Sequence, residues 1–112
     1  KVNLIKNNTI VGRMYKKFTE EEIDLFYRKI GKKVMECRRK NNMTQLELSY
    51  AMGYKSVSLV SAAELYSNKK HFNLEHLYKI SKILNVPISY FILYNELEDV
   101  NNKIKNNMNS TN

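Results

Sequence analysis

The sequence contains little of several residue types that decide other folds: one cysteine, one proline, three glycines and no tryptophan. A single cysteine, Cys37, excludes an internal disulfide framework and a cysteine-based metal cluster, and it is compatible with a reducing compartment. No apolar run approaches the length of a membrane span, and no signal-peptide pattern is present. We therefore expect a cytoplasmic protein without a membrane partner.

Acidic residues are also scarce, because 11 Asp and Glu stand against 19 Lys and Arg and leave a formal net charge of +8. This excess favours a polyanionic partner, with nucleic acid ahead of an anionic membrane. The 112 residues, of which 43% are hydrophobic, are enough for one compact domain with a modest core. Asn and Lys, with 15 residues each, have AT-rich codons, and their abundance is typical of a low-GC bacterial or phage genome.

Residues 1–18 contain five basic residues and no acid. Asn7 and Asn8 separate two short apolar runs, a pattern that favours a small hairpin because Asn tolerates the left-handed backbone of a tight turn. The alternative is a flexible basic arm. Either form could contact a phosphate backbone.

Residues 19–97 are predicted to form five helices, since no strand alternation occurs between residues 20 and 95. The first helix begins at Thr19, which can form a capping box with Glu22, and it ends at Asn41. Its apolar residues recur at spacings of three and four, which predicts one buried face: Ile23, Phe26, Ile30, Val34 and Cys37. The fold class predicted from these patterns is all-α.

Two short helices occupy the middle of the chain. Thr44 starts the first of them and Gly53 ends it, because glycine readily adopts the left-handed stop of a helix. Ser56 is predicted to cap the next helix, which runs to about Tyr66.

The last two helices are separated by the only proline. Asn73 caps the fourth helix, Asn85 ends it, and the fifth begins near Ser89. The inner residues predicted for the third and fourth helices are Val60, Ala63, Leu74, Leu77, Ile80, Ile83 and Leu84.

The two short helices and their glycine turn form a helix-turn-helix pattern. In this arrangement the first helix crosses the DNA backbone, and the second lies in the major groove, where each base pair displays a distinct pattern.

Residues 28–92 carry a more specific resemblance. The order of elements and their apolar positions resemble the lambda-repressor/Cro-like, or Xre-type, helix-turn-helix family. The segments that carry the resemblance are Ile30-Gly31-x-x-Val34-x-x-x-Arg38, Met43-Thr44-Gln45-x-x-Leu48, Ala51-Met52-Gly53, Val60-Ser61-x-x-Glu64, Leu74-Glu75-x-Leu77-x-x-Ile80-x-x-x-Leu84-x-Val86 and Tyr90-Phe91.

This resemblance implies a sequence-specific DNA-binding transcriptional regulator, such as a repressor, that acts as a homodimer on an operator. It places Gln45 at the DNA backbone and pairs Arg38 with Glu64 as a structural salt bridge. Lys69 and Lys70, in the basic loop after the third helix, are expected near phosphates. The residues expected to face the groove are Lys55, Ser56, Val57, Ser58, Ser61 and Ala62.

The sequence departs from the family pattern in two respects. The spacing from Gly53 to Val60 is one residue longer than usual, so the turn or the start of the recognition helix must differ. The recognition surface also lacks Arg, Gln and Asn, the side chains that most often make bidentate contacts with bases. Specificity is therefore expected to depend more on DNA shape, the basic arm and dimer spacing.

The sequence is also compatible with two other functions. A protein-interaction module, such as an antitoxin that binds its toxin or an adaptor on the same fold, is the main alternative, and an RNA-binding member of the fold is another. No catalytic triad, carboxylate pair or glycine-rich phosphate loop is present, so we expect no enzyme. His71 and His76 lack the spacing and further ligands of a metal site, and no cofactor is expected.

The C-terminal residues continue the helical pattern. Leu93, Leu97, Val100, Ile104 and Met108 recur at spacings of three and four. We expect the fifth helix to extend beyond Leu97 and to form the dimer interface, although the asparagine-rich residues 98–112 could also fray. The predicted interface residues are Phe91, Ile92, Leu93, Leu97 and Val100.

Overall fold

The computed structural model describes residues 17–110, with side chains for residues 17–93 and 103–108. The described chain contains no strand and confirms the predicted all-α class. The hairpin or arm predicted for residues 1–18 lies almost entirely outside the described residues. The elements are α1 (Glu20–Lys40), α2 (Gln45–Ala51), α3 (Ser58–Leu65), a short 3-10 helix (Ser67–Lys69), α4 (Leu74–Leu84) and α5 (Ser89–Ser110).

The ends of α1 follow from local chemistry. The Thr19 hydroxyl accepts a hydrogen bond from the backbone N–H of Glu22 at 3.1 Å. Three glutamates occupy the first turn and three cations the last, as the helix dipole favours. The predicted start and end of this helix are therefore confirmed.

The core lies where α1 packs against α3, α4 and α5, with α2 packed against α3 and α4. Cys37 is one of its members, as predicted, and burial raises the pKa of its thiol. The buried apolar residues of this cluster are Ile30, Val34, Cys37, Leu48, Met52, Val60, Ala63, Phe72, Leu77, Ile80, Leu84 and Phe91.

Three residues that were predicted to be buried are exposed. Ile23 and Phe26 retain 41% and 38% of their accessible surface, because burial along α1 begins only at Ile30. Leu74 is 71% exposed, since it occupies the first position of α4, at the rim of the packed helices. Apolar spacing identified the correct faces of these helices but not how far the neighbouring helices cover them.

Helix α5 continues to Ser110, which confirms the predicted extension beyond Leu97. The structure corrects one member of the predicted dimer interface, Phe91, because its side chain is fully buried in the core of its own chain. Farther along the helix, Leu93 and Ile104 are 52% and 53% exposed.

One buried polar atom has no hydrogen-bond partner among the described residues: the hydroxyl of Ser49, in α2. Leaving a buried hydroxyl unsatisfied costs about 1–3 kcal/mol. We therefore expect Ser49→Ala to raise the free energy of unfolding by about 1 kcal/mol or more, measured by urea denaturation.

A matched control for this prediction is Ser81→Ala in α4. Ser81 is also buried, but its hydroxyl donates to the carbonyl oxygen of Tyr78 at 2.7 Å. Both substitutions gain the helix propensity of alanine. The effect of the unsatisfied hydroxyl is therefore the difference between the two changes in the free energy of unfolding. An equal change in the two variants would contradict the assignment.

An unusual histidine cap begins α4. The side-chain oxygen of Asn73 accepts from the backbone N–H of His76 at 2.8 Å, and the backbone N–H of Asn73 donates to Nδ1 of His76 at 3.0 Å. Because Nδ1 accepts this bond, the cap requires an imidazole without a proton on Nδ1. Burial lowers the pKa of His76 below its ordinary value, and this shift also favours the neutral imidazole that the cap requires.

This cap predicts a pH-dependent stability. A lowered pKa in the folded state means that the contribution of His76 is complete above its unfolded pKa, about 6.5, and is lost as the pH falls through the folded value. Between pH 7.5 and 5.5, we expect the wild-type protein to lose more unfolding free energy than His76→Gln, whose amide oxygen accepts the same bond without titrating. Identical losses in urea denaturation would show that the cap is not the source.

Candidate nucleic-acid interface

Helix α2 is defined at both ends by hydrogen bonds. At its start, the Thr44 hydroxyl accepts from the backbone N–H of Glu47 at 3.0 Å, and the Thr44 N–H donates to the Glu47 carboxylate at 2.8 Å. At its end, Gly53 adopts a φ of +98° and its N–H donates to the carbonyl of Tyr50 at 2.9 Å. The predicted starting residue and glycine stop are both confirmed.

Helix α3 begins later than predicted. Its N-cap is Val57, without a side-chain hydrogen bond, rather than Ser56. The Ser56 hydroxyl instead accepts a long bond of 3.4 Å from the N–H of Ser58 and lies 2.6 Å from the Ser58 hydroxyl. The longer spacing between Gly53 and Val60 is thus accommodated in the turn that precedes α3.

The predicted salt bridge between Arg38 and Glu64 is present and buried. Nε of Arg38 donates to Oε2 of Glu64 at 2.7 Å, and Nη2 donates to Oε1 at 3.0 Å. The remaining Nη1 donates to the carbonyl of Met43 at 2.8 Å. The two side chains are 7% and 0% exposed, so this bidentate pair joins the end of α1 to α3 in a poorly solvated place.

Gln45, which the resemblance places at the DNA backbone, extends the same network. Its Nε2 donates to Oε1 of Glu64 at 2.8 Å while the residue remains partly exposed. Gln45 therefore ties the start of α2 to α3 in the free protein. Sequence reasoning missed this bond, because a separation of 19 residues along the chain gives no local signal.

The outer face of α3 carries three of the six residues predicted to face the groove. Ser58 is exposed, and Ser61 and Ala62 are partly buried, whereas Val60 and Glu64 on the opposite face are buried. Lys55 and Ser56 in the preceding turn are exposed, and Val57 is partly buried.

The sequence analysis missed one residue on the outer face of α3, Leu65, which is 62% exposed. It follows Ser58 by seven residues and Ser61 by four, which is the spacing of one helical face. That spacing could have identified it from the sequence.

The two lysines of the following loop differ in their surroundings. Lys70 is exposed. Lys69 turns towards α1, where its Nζ lies 3.1 Å from Oε2 of Glu20 and 3.5 Å from Oδ1 of Asp24. The hydrogen bond to Glu20 raises the pKa of the Lys69 ammonium. Lys69, which was expected near phosphates, is thus paired with two carboxylates in the free protein.

The loop itself is tied to α1 by Tyr66. This residue adopts a left-handed backbone, with φ of 57°, and its hydroxyl donates to Oδ1 of Asp24 at 2.8 Å. That bond lowers the pKa of the Asp24 carboxyl. The contacts of Tyr66 and Lys69 hold the C-terminal end of α3 against α1.

Both histidines contact other residues of the fold. The ring of His71 stacks on Tyr27 with centroids 3.8 Å apart, and His76 caps α4. Within the described ranges, no group of three or more His, Cys, Asp or Glu residues could hold a metal ion. None of the described helices is long and apolar enough to cross a membrane.

Comparison with known proteins finds a match to the family profile described as Helix-turn-helix over residues 34–91, more than half of the chain. No curated protein and no solved structure matches the chain. The matched segment runs from the second half of α1 into α5 and contains both short helices and the network of Arg38, Gln45 and Glu64. The chain therefore belongs to the lambda-repressor/Cro-like, or Xre-type, family of DNA-binding helix-turn-helix proteins.

Proposed function

We propose that this protein is a sequence-specific transcriptional regulator that binds an operator as a homodimer. The observation that carries the proposal is the packing of α2 on α3, in which Gln45 of α2 and Arg38 of α1 both donate hydrogen bonds to Glu64 of α3. Helices held together in this way can place the outer face of α3 in the major groove while α2 crosses the backbone. Occupying the operator would then exclude or recruit other proteins at that position.

Exposed cations on the chain would supply the phosphate contacts. Lys55 lies in the turn before α3, and Lys70 follows the 3-10 helix. Arg39 and Lys40, at the exposed end of α1, precede the start of α2 by only a few residues. Such contacts position the protein on DNA without reading its sequence.

Helix α5 would form the dimer interface. Leu93 and Ile104 are half-exposed apolar residues on this helix, and Leu97 and Val100 share their sequence spacing. Ile92 is partly buried and lies at the edge of the core. A symmetric pair of such helices would bury apolar residues that are exposed in one chain, and it would present two copies of α3 to a two-fold operator.

A protein-interaction module is the second candidate. Three large apolar side chains around the motif are exposed: Leu46 and Tyr50 on α2, at 41% and 57%, and Leu65 on α3. Exposed apolar residues such as these favour a protein partner, for example a toxin bound by an antitoxin.

The test is enrichment of binding sites from a randomised duplex pool, followed by titration of the enriched site. We expect a two-fold symmetric site whose affinity falls steeply with salt. Lys55→Ala and Lys70→Ala should each weaken binding to all sequences and reduce the salt slope by about 1. Lys69→Ala, whose ammonium is already paired with Glu20 and Asp24, is the matched control and should change the slope less.

The same titration tests the dimer. Leu97→Asp should sediment as a monomer and lose tight operator binding, whereas a variant that stays dimeric with full affinity would place the interface elsewhere. If no duplex is enriched, the DNA-binding proposal fails, and the exposed apolar residues of α2 and α3 become the surface to investigate. Enrichment of structured RNA instead would indicate an RNA-binding member of the fold.

A further inference from the structure

The face that α3 offers to DNA is chemically unusual. The only charged side chain on this helix, Glu64, is buried and paired with Arg38. The side chains that remain accessible on the outer face and at the N-cap are two serines and three apolar residues: Ser58, Ser61, Val57, Ala62 and Leu65. This face contains no group that could make a bidentate contact with guanine or adenine.

The serine hydroxyls are partly engaged within the protein. The Ser61 hydroxyl donates to the carbonyl oxygen of Ser58 at 3.3 Å. The hydroxyls of Ser56 and Ser58 share a hydrogen bond of 2.6 Å, which uses one of their two protons. The face therefore offers mainly hydroxyl lone pairs, which accept hydrogen bonds, and methyl groups.

The floor of the major groove displays one apolar group, the C5-methyl of thymine. Its paired adenine displays an amino group that can donate to a hydroxyl lone pair. Small side chains such as Ser61 and Ala62 would also let the helix approach the base edges closely. An A·T pair thus matches both kinds of group on this face, whereas a G·C pair has no methyl group.

We propose that α3 recognises thymine C5-methyl groups, and that apolar contacts from Val57, Ala62 and Leu65 are the main direct readout of the operator. The ligand class is therefore duplex DNA with thymines at the positions that face α3. This inference rests on the proposed DNA-binding function and specifies how that function discriminates sequences.

Deoxyuridine provides a direct test, since it pairs as thymidine does but lacks the methyl group. In the enriched duplex, each thymine of the half-site is replaced in turn by deoxyuridine. Loss of one contacted methyl should weaken binding by about fourfold, from about 0.8 kcal/mol for one buried methyl-sized group. Replacing all contacted thymines should weaken it by more than tenfold. Contacts made in the minor groove would be insensitive to this change, because the methyl lies in the major groove.

Protein variants assign the contacts. Leu65→Ala should weaken binding to the thymine duplex and should remove the penalty for deoxyuridine at one position of each half-site. Leu74→Ala is the matched control, because Leu74 is 71% exposed and lies on a different helix, α4, beside a cavity lined by residues of α1, α4 and α5 and none of α3. Both residues are exposed, so circular dichroism should show folded proteins with similar stability.

The outcomes separate the inference from the function on which it rests. Unchanged affinity for the all-deoxyuridine duplex, or an enriched site without A·T pairs opposite α3, would overturn thymine readout while DNA binding stands. Failure to enrich any duplex would overturn both. A deoxyuridine penalty that persists in full in Leu65→Ala, Ala62→Gly and Val57→Ala would also overturn the assignment to α3.

Discussion

Replacing Glu64 with glutamine should lower the free energy of unfolding by about 3 kcal/mol or more. The substitution keeps the size of the side chain but leaves the Arg38 guanidinium buried without its carboxylate, with both side chains of the pair at most 7% exposed. It also disturbs the bond from Gln45 to Oε1 of Glu64. Because domains of this kind are stable by about 5–15 kcal/mol, much of the folded state's margin would be lost. Urea denaturation followed by circular dichroism measures the change.

Two variants make this prediction specific. Glu36→Gln removes a partner of the pair between Lys33 and Glu36, where the Glu36 side chain is 41% exposed, and it should cost no more than about 1 kcal/mol. The double variant Arg38→Met with Glu64→Leu removes both buried charges and should recover most of the stability that Glu64→Gln loses. A loss in Glu64→Gln no larger than that in Glu36→Gln would refute the role of the buried pair.

Gly31→Ala should destabilise the protein by about 2–3 kcal/mol, although glycine to alanine in an ordinary helix stabilises by about 1 kcal/mol. A Cβ atom at Gly31 would collide with the carbonyl oxygen of Ala63 and would lie 2.7 Å from that of Glu64. Both obstacles are backbone atoms, so α1 and α3 would have to separate. Because that movement also disturbs the Arg38 and Glu64 pair, we expect DNA affinity to fall together with the melting temperature.

The other described glycine provides a control with a different cause. At Gly53 a Cβ atom would meet no atom within 4 Å, but its φ of +98° is unfavourable for alanine. Gly53→Ala should therefore cost about 1–2 kcal/mol from backbone strain alone. A stabilising effect of Gly31→Ala would contradict the conclusion that α1 and α3 lie too close together for a Cβ atom at this position.

The helix boundaries of this domain were determined by the sequence on its own. Thr19, Thr44, Gly53, Asn73 and Asn85 start or end helices where they were predicted to do so. Caps and left-handed stops act within one helical turn, so the residues that decide them are neighbours along the chain. The start of α3 is the exception, since its N-cap is Val57 and not the predicted Ser56.

The buried salt bridge and the helix-turn-helix motif were also predicted from the sequence, but from its resemblance to a family and not from local chemistry. Arg38 and Glu64 are 26 residues apart, and no periodicity connects them. Their pairing was predicted because the chain resembles the family over residues 28–92, and that resemblance places the family's paired Arg and Glu at these two positions.

Only the tertiary structure decided which apolar and charged residues are available at the surface. Ile23 and Leu74 have the spacing of core residues but are exposed, because none of the described helices covers those parts of α1 and α4. Lys69 forms ion pairs with Glu20 and Asp24 of α1. Gln45 donates a hydrogen bond to Glu64 of α3. Long polar side chains pair with groups that are close in space, and groups far apart along the chain become close only when the helices pack.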